Sequence, residues 1–317
     1  MPALPARVLI TGATGFIGSH VARRLLRKGF DVHILCRPRA NFERLRDIRR
    51  RLRVHTASLS DRKGLRRTVS AIAPKYVVHL AAATMRAGMA ADLEDIVLTN
   101  TIGTLNLLDA CDAVDYAGFV NTGDALEYGS KRRPAKESDA CRPTTFDGRA
   151  KAVATLYARY AAFARDRPIL TLRLFSVFGP DDHPTRLVPQ VIAAALANDT
   201  LRLSHPAVAR DFLYVDDVAA LFESALHAST RLRGEVLNGG SGRSITLKEL
   251  ADGVRSLTKS RSEACWGAYP LAAHDRGCWT ADVTKLHALL PWRPRFTFEE
   301  GLRLTIRHIL RSRERAS

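Results

Sequence analysis

No other stretch limits the fold of this chain as tightly as Arg7 to Lys28. Arg7-Val8-Leu9-Ile10 is a short apolar run, and Thr11-Gly12-Ala13-Thr14-Gly15-Phe16-Ile17-Gly18 is a turn with glycine at every third place. From Ser19 to Lys28 the apolar residues Val21, Ala22, Leu25 and Leu26 recur at helical spacing, so the whole reads strand, turn, helix. Gly12 allows a turn that a Cβ would obstruct, Gly15 lets backbone N–H groups approach a pyrophosphate, and Gly18 lets the helix lie close on the strand. The N-terminus of the helix then faces the phosphates. Glycines also punctuate ordinary turns; the flanking strand and helix are what make this triplet a dinucleotide cradle, lined by Gly12, Thr14, Gly15, Phe16, Ile17 and Gly18.

The GxxGxxG spacing and the octapeptide TGATGFIG resemble the extended short-chain dehydrogenase/reductase family of nucleotide-sugar epimerases, dehydratases and ketoreductases. The same resemblance continues along nearly the whole chain. Tyr76 to Ala83 is an unbroken apolar run, expected as a buried parallel strand, and its end at Leu80, Ala81 and Ala82 is small enough for a cofactor to lie close. Asn100 to Leu108 matches the long helix of the family, in which the Asn props the active-site backbone. Leu172 to Pro180 resembles the strand that hands over to the substrate lobe, and Arg210-Asp211-Phe212-Leu213-Tyr214-Val215-Asp216-Asp217 the RDFxxVxD segment, whose Arg grips the diphosphate of the sugar donor. Ser176, Arg210 and Arg276 are accordingly the expected substrate contacts.

The end of the second strand, Asp31 to Leu35, bears on the coenzyme. A carboxylate at its tip would bind the ribose 2′-hydroxyl of NAD and repel the 2′-phosphate of NADP. Here Cys36 and Arg37 follow, and a guanidinium suits a phosphate, so NADP is expected with NAD as the alternative. The segment Arg39 to Arg67 is crowded with arginine and reads as one helix, then a third strand at Val54-His55-Thr56. Ala57-Ser58-Leu59-Ser60-Asp61 stands where the family reads GDLxD against the adenine, so Ser58 and Leu59 are expected there with Ser58 replacing an acid. His79 reads as a structural residue of its strand.

The catalytic positions depart from the family. Its chemistry rests on a Ser or Thr and on a YxxxK pair, in which one helical turn brings phenol and ammonium to the same face. Lys151 is in place, but Asp147 stands four residues before it. Asn121 to Gly129 corresponds to SSxxxVYG, which puts Asp124 at the hydroxyl position. Ala125 and Leu126 occupy the places where 4,6-dehydratases carry an acidic pair, which points away from that route. A lone carboxyl of pKa about 3.9 beside a lysine is a poor proton donor, whereas two carboxyls near one substrate oxygen can share a proton. Asp124, Asp147 and Lys151 are therefore the expected catalytic set. The other reading is that Asp147 only caps or begins its helix and that the protein binds nucleotide without this chemistry. Tyr128 and Tyr157, the nearest phenols in sequence, have no spacing that aims them at the site.

Composition adds bounds. The net charge is +17 and Arg outnumbers Lys 40 to 9, an excess that reads first as compositional bias over a solvated surface. No nucleic-acid partner is expected, although the arginines from Arg44 to Arg67 would form its footprint. The five cysteines, Cys36, Cys111, Cys141, Cys265 and Cys278, form no CxxC pair and argue for a reducing compartment and against a zinc site. With no apolar run of transmembrane length, no membrane association is expected and the location is taken as cytoplasmic.

The sequence thus predicts an α/β protein with a Rossmann-type doubly wound parallel sheet over residues 1–175, rejoined by a segment near 210–240, and a smaller C-terminal substrate lobe over 176–317. The resemblance implies a homodimer, paired through a four-helix bundle from Asp92 to Asp112 and Asp147 to Ala164. It also implies an NADP-dependent reductase of a nucleotide-linked keto-deoxysugar. The alternatives are an NAD-dependent epimerase and a catalytically silent nucleotide- or RNA-binding member.

Overall fold

A computed structural model describes residues 4–84, 93–271 and 277–314. In chain order the strands are β1 (Arg7–Thr11), β2 (Asp31–Cys36), β3 (Arg53–Thr56), β4 (Tyr76–His79), β5 (Gly118–Asp124), β6 (Ile169–Leu174), β7 (Ser176–Phe178), β8 (Leu201–Leu203), β9 (Ala209–Arg210), β10 (Phe212–Tyr214), β11 (Val236–Gly239), β12 (Ile245–Thr246) and β13 (Ala264–Trp266). The helices are α1 (Phe16–Arg27), α2 (Arg62–Ile72), α3 (Leu93–Ile96), α4 (Gly103–Cys111), α5 (Phe146–Ala164), α6 (Leu187–Ala197), α7 (Val215–Ala228), α8 (Leu247–Thr258), α9 (Thr284–Leu289) and α10 (Phe298–Glu314).

Seven strands form one parallel sheet in the order β11-β6-β5-β4-β1-β2-β3. Both faces are covered, so its central strands are apolar without interruption. Alternate residues feed different cores. Val8, Ile10, Val78 and Val120 pack with Val21, Ala22 and Leu25 of α1 and with Val218, Phe222 and Leu226 of α7. Leu9, Val77 and Phe119 turn the other way, onto Leu65 and Val69 of α2, Leu107 and Leu108 of α4, and Ala158 and Ala161 of α5. From β1 the chain winds one way through β2 and β3 and from β4 the other way, so the sheet reverses between β1 and β4. In open α/β sheets that switch point is where ligands bind.

Several elements differ from the sequence reading. The first helix opens at Phe16, within the glycine turn. The strand from Tyr76 ends at His79, and Leu80 to Ala83 run free of the sheet after one last bond from Leu80 N to Thr11 O (3.1 Å). The arginine-rich stretch forms two short 3₁₀ turns, Glu43–Leu45 and Arg49–Arg51, before β3 instead of a helix. Its apolar residues Phe42, Leu45 and Ile48 recur every third place, the period of a 3₁₀ turn. Between α3 and α4 the chain takes a π-helical turn, Val97–Ile102, which carries the buried Asn100. The described residues before it start at Leu93, so Asp92 lies outside them.

Beyond β6 the chain builds three small sheets, β7 with β10, β9 with β12, and β8 with β13. These and the helices α6, α8, α9 and α10 form the smaller lobe, while β11 returns to the edge of the main sheet beside β6. Asp211, fully buried between β9 and β10, fastens the lobe. Its carboxylate accepts from Ser241 N (2.7 Å), Ser241 Oγ (2.6 Å), Gly242 N (2.9 Å) and Ala281 N (3.0 Å). Among the described residues no helix is long and apolar enough to cross a membrane.

Candidate active site at the sheet's switch point

The glycine turn sits at the reversal between β1 and β4. Gly12 has φ +72°, and a Cβ there would lie 2.6 Å from the Ala81 nitrogen and the Leu80 carbonyl carbon. At Gly18 a Cβ would lie 2.1 Å from Gly12 O, so the helix can rest on the turn only without a side chain. Over Gly15 the one close atom among the described residues is Gly12 O, at 3.2 Å, and the turn there is exposed. No side chain caps α1. The N–H groups of Phe16, Ile17 and Gly18, which have no acceptor inside the helix, are therefore available to an anion. Thr122 on β5 adds a buried hydroxyl that has no hydrogen-bond partner among the described residues. A cradle that a Cβ would fill and an orphaned buried hydroxyl both fit a bound dinucleotide.

The wall opposite the turn is fixed by a hydrogen-bond chain with one direction. Thr104 Oγ1 donates to Asn100 O (2.7 Å) and so accepts from His79 Nε2 (2.8 Å); His79 Nδ1 then accepts from Thr11 Oγ1 (2.7 Å), which accepts from Ala81 N (3.2 Å). Asn100 closes it, accepting from Ala83 N and donating to Ala83 O, both at 2.8 Å. Burial, with a smaller push from Lys151, lowers the His79 pKa to about 3, so the ring is neutral. Leu80, Ala81 and Ala82 are thereby held beside Gly12. In the loop after β3, Leu59 O accepts from Asn106 (2.9 Å), while the Ser58 hydroxyl bonds to Ser60 Oγ (2.7 Å). Asp61 of the same loop caps α2 through Gly64 N (2.9 Å). Cys36 is buried at the end of β2, whereas Arg37 is exposed and makes no ion pair among the described residues.

At the end of β5 and the start of α5 the structure sets Asp124 and Asp147 within electrostatic reach of Lys151. Lys151 is buried and donates to Thr122 O (2.9 Å). Burial lowers its pKa below the ordinary lysine value, against the pull of Asp124, Glu127 and Asp147. Asp147 occupies the first turn of α5, but the cap is Thr145, whose Oγ1 accepts from Gly148 N (3.1 Å), so capping does not account for Asp147. Asp124 does cap, accepting from Leu126 N (2.8 Å) at the 3₁₀ turn Ala125–Tyr128. Burial raises its carboxyl above the ordinary value, and Glu127 adds to that, while the Leu126 N–H, Lys151 and Arg186 pull it down. Tyr128 donates to Asn238 Oδ1 (2.7 Å) and Tyr157 to Asp109 Oδ1 (3.0 Å), so both phenols are engaged elsewhere.

On the substrate side, Ser176 opens β7 and its N–H donates to Asp211 O (3.0 Å). Arg210 on β9 lies with its guanidinium 5.8 Å from the centre of the Trp279 ring. Arg276 lies outside the described residues. The residues that sequence reasoning missed are those that hold others in place: Thr11, Thr104, Asn106, Asp211, and the buried pair Glu127 and Arg173.

A doubly wound sheet with a glycine cradle at its switch point, and a buried lysine one helical turn from an acidic residue, defines a dinucleotide-dependent enzyme of the short-chain dehydrogenase/reductase kind. The chain belongs to the NAD-dependent epimerase/dehydratase family, whose pattern matches residues 8–240. It is 28% identical over 318 residues to the dTDP-glucose 4,6-dehydratase of Streptomyces griseus, with 96% of this chain and 94% of that enzyme covered. A probable UDP-glucuronate 4-epimerase of Rhizobium meliloti is 27% identical, with 93% of this chain and 94% of that protein covered. Among solved structures, the UDP-glucose 4-epimerase of Thermus thermophilus in complex with NAD superposes with a TM-score of 0.85 at 27% identity, over 96% of this chain and 99% of that one.

Proposed function

We propose that the chain transfers hydride on a nucleotide-linked sugar and that it works as a reductase of a keto-deoxysugar with NADP. The observation that carries this reading is that Asp124 and Asp147 lie within electrostatic reach of Lys151 at the end of β5 and the start of α5, next to the cradle. When bound, the nicotinamide supplies the hydride; the proton for the new hydroxyl has to come from the protein. Lys151 is the cation facing the two acids, and two carboxyls before one ammonium hold one proton between them more readily than either would singly. That proton passes to the substrate oxygen and leaves both carboxylates ionised opposite Lys151. Arg210 and Ser176 would meet the nucleotide diphosphate and sugar, and Arg37 the 2′-phosphate.

The second reading is a 4-epimerase with bound NAD, favoured by the epimerases among its relatives. Mass analysis of the coenzyme released from purified protein separates the two. NADP with net consumption of NADPH on a 4-keto nucleotide sugar supports the reductase, and NAD with interconversion of sugars and no net consumption supports the epimerase. Asp147→Asn should abolish turnover while coenzyme still binds, and full activity in that variant would refute the acid pair.

We further propose a homodimer. Leu93, Val97, Leu98 and Ile102 on one stretch, and Val153, Leu156, Tyr160 and Phe163 on α5, are exposed apolar side chains on two adjoining helical elements. A patch of that kind marks an interface.

A further inference from the structure

Beneath the candidate site lies a buried ion pair that the proposed chemistry has not used. Glu127 is fully buried. Its Oε1 accepts from Asp124 N (2.9 Å) and from Thr155 Oγ1 (2.9 Å), and its Oε2 accepts from Arg173 Nε (2.7 Å). One carboxylate thus ties the backbone of Asp124 on β5, the face of α5 one turn beyond Lys151, and β6. Gly123 is part of the same fitting, since a Cβ there would lie 2.5 Å from Glu127 Oε1. Arg173 is 6% exposed, lies 4.6 Å from the centre of the Tyr128 ring and reaches Cys141 Sγ (3.1 Å). Burial works against its charge, but Glu127 and Tyr128 outweigh that and hold it firmly protonated. The position before Tyr128-Gly129 is apolar in the SSxxxVYG pattern, so the buried carboxylate is a feature of this chain.

The charges around the acids can be paired off. Arg173 belongs to Glu127. Arg186, which also acts on Asp124, has its Nε 3.7 Å from Asp182. Lys151 remains, facing Asp124 and Asp147.

We propose that Glu127 is a positioning residue of the site: it fixes Asp124 and α5 in register and, by balancing the Arg173 charge, keeps that guanidinium from acting on the two acids that face Lys151, so that Asp124 and Asp147 keep one shared proton. This rests on the reading of those two residues as the proton-handling pair. Without Glu127 the bare guanidinium would draw that proton off; without Arg173 the bare carboxylate would tighten it. A merely structural brace would not move the proton in opposite senses.

The test is infrared difference spectroscopy of the full chain labelled with ¹³C-aspartate. The band of the protonated carboxyl is followed against pH and assigned by its loss in Asp124→Asn or Asp147→Asn. Glu127→Gln should lower the midpoint by about one unit or more, Arg173→Gln should raise it by a similar amount, and the double variant should return it to within about half a unit of the parent. Singles that move together, or do not move while the fold is intact by circular dichroism, overturn the proposal. If one single variant does not fold, the other decides by the direction of its shift, and the double variant, which leaves no unpaired buried charge, has to return to within about half a unit of the parent; a remaining single that does not move, or a double that stays shifted by about a unit or more, overturns the proposal. Turnover is scored separately. Opposite shifts in a protein with no activity would remove the catalytic reading and keep this inference, and activity with unmoved midpoints would do the reverse.

Discussion

Acidification should destabilise the folded chain most sharply at His79, the histidine that burial holds furthest below its ordinary value among the described residues. In the unfolded chain its imidazole takes up a proton near the ordinary value of 6.5, whereas in the folded chain burial holds the pKa to about 3. Above the unfolded value both states are neutral and the stability is complete. Below it the unfolded state binds a proton that the folded state refuses, so stability falls as the pH drops from 6.5 towards 3. Each unit costs about 1.4 kcal/mol, so near pH 5 the loss from this one ring is about 2 kcal/mol. The structure gives no easy escape, since Nδ1 already accepts from Thr11 and a second proton would face that hydroxyl within the core. Urea unfolding across this pH range, in the parent and in His79→Asn, isolates the effect, because carboxylates titrate alike in both. The variant starts less stable, and its decline from neutral to about pH 5 should be shallower by about 2 kcal/mol. Parallel declines would refute the assignment of a neutral, proton-refusing ring behind the cradle.

Other perturbations probe separate parts of the molecule. Gly18→Ala places a methyl group against the Gly12 carbonyl and should weaken coenzyme binding, followed by nicotinamide fluorescence, by about tenfold or more, with unaltered affinity refuting the cradle. Asp211→Asn turns an acceptor into a donor before at least one backbone N–H and should cost about 2–4 kcal/mol, read from denaturant midpoints; a loss below about 1 kcal/mol would mean the four bonds do not fasten the lobe. Leu156→Glu combined with Phe163→Glu should convert the proposed dimer to monomer in sedimentation velocity, and an unchanged species would exclude that face.

What the sequence discloses here depends on how far apart the cooperating residues lie. The cradle is legible because strand, turn and helix are contiguous and their periods change from apolar run to helical spacing within thirty residues. Asp147 and Lys151 are legible as neighbours because a helix fixes their relation. The Glu127 and Arg173 pair is hidden, since its members are 46 residues apart and meet only through adjacent strands. Asp211 is hidden for the same reason, its donors coming from 30 and 70 residues downstream. The helix expected in the arginine-rich stretch failed on period: three-residue spacing buries Phe42, Leu45 and Ile48 in tighter turns. In the stretch expected to form one long helix around Asn100, the π turn has no local signature, because it answers to the Ala83 backbone that it has to reach.

The return of β11 makes the two lobes thermodynamically inseparable. A fragment ending at residue 175 would lack both the edge strand that shields β6 and helix α7, which covers α1. It would expose the backbone of one strand and the greasy side of the very helix that opens on the glycine turn. Stress on the distal lobe therefore reaches the coenzyme end through a shared sheet, and melting should proceed as one cooperative event, with no stage at which the nucleotide half stands by itself.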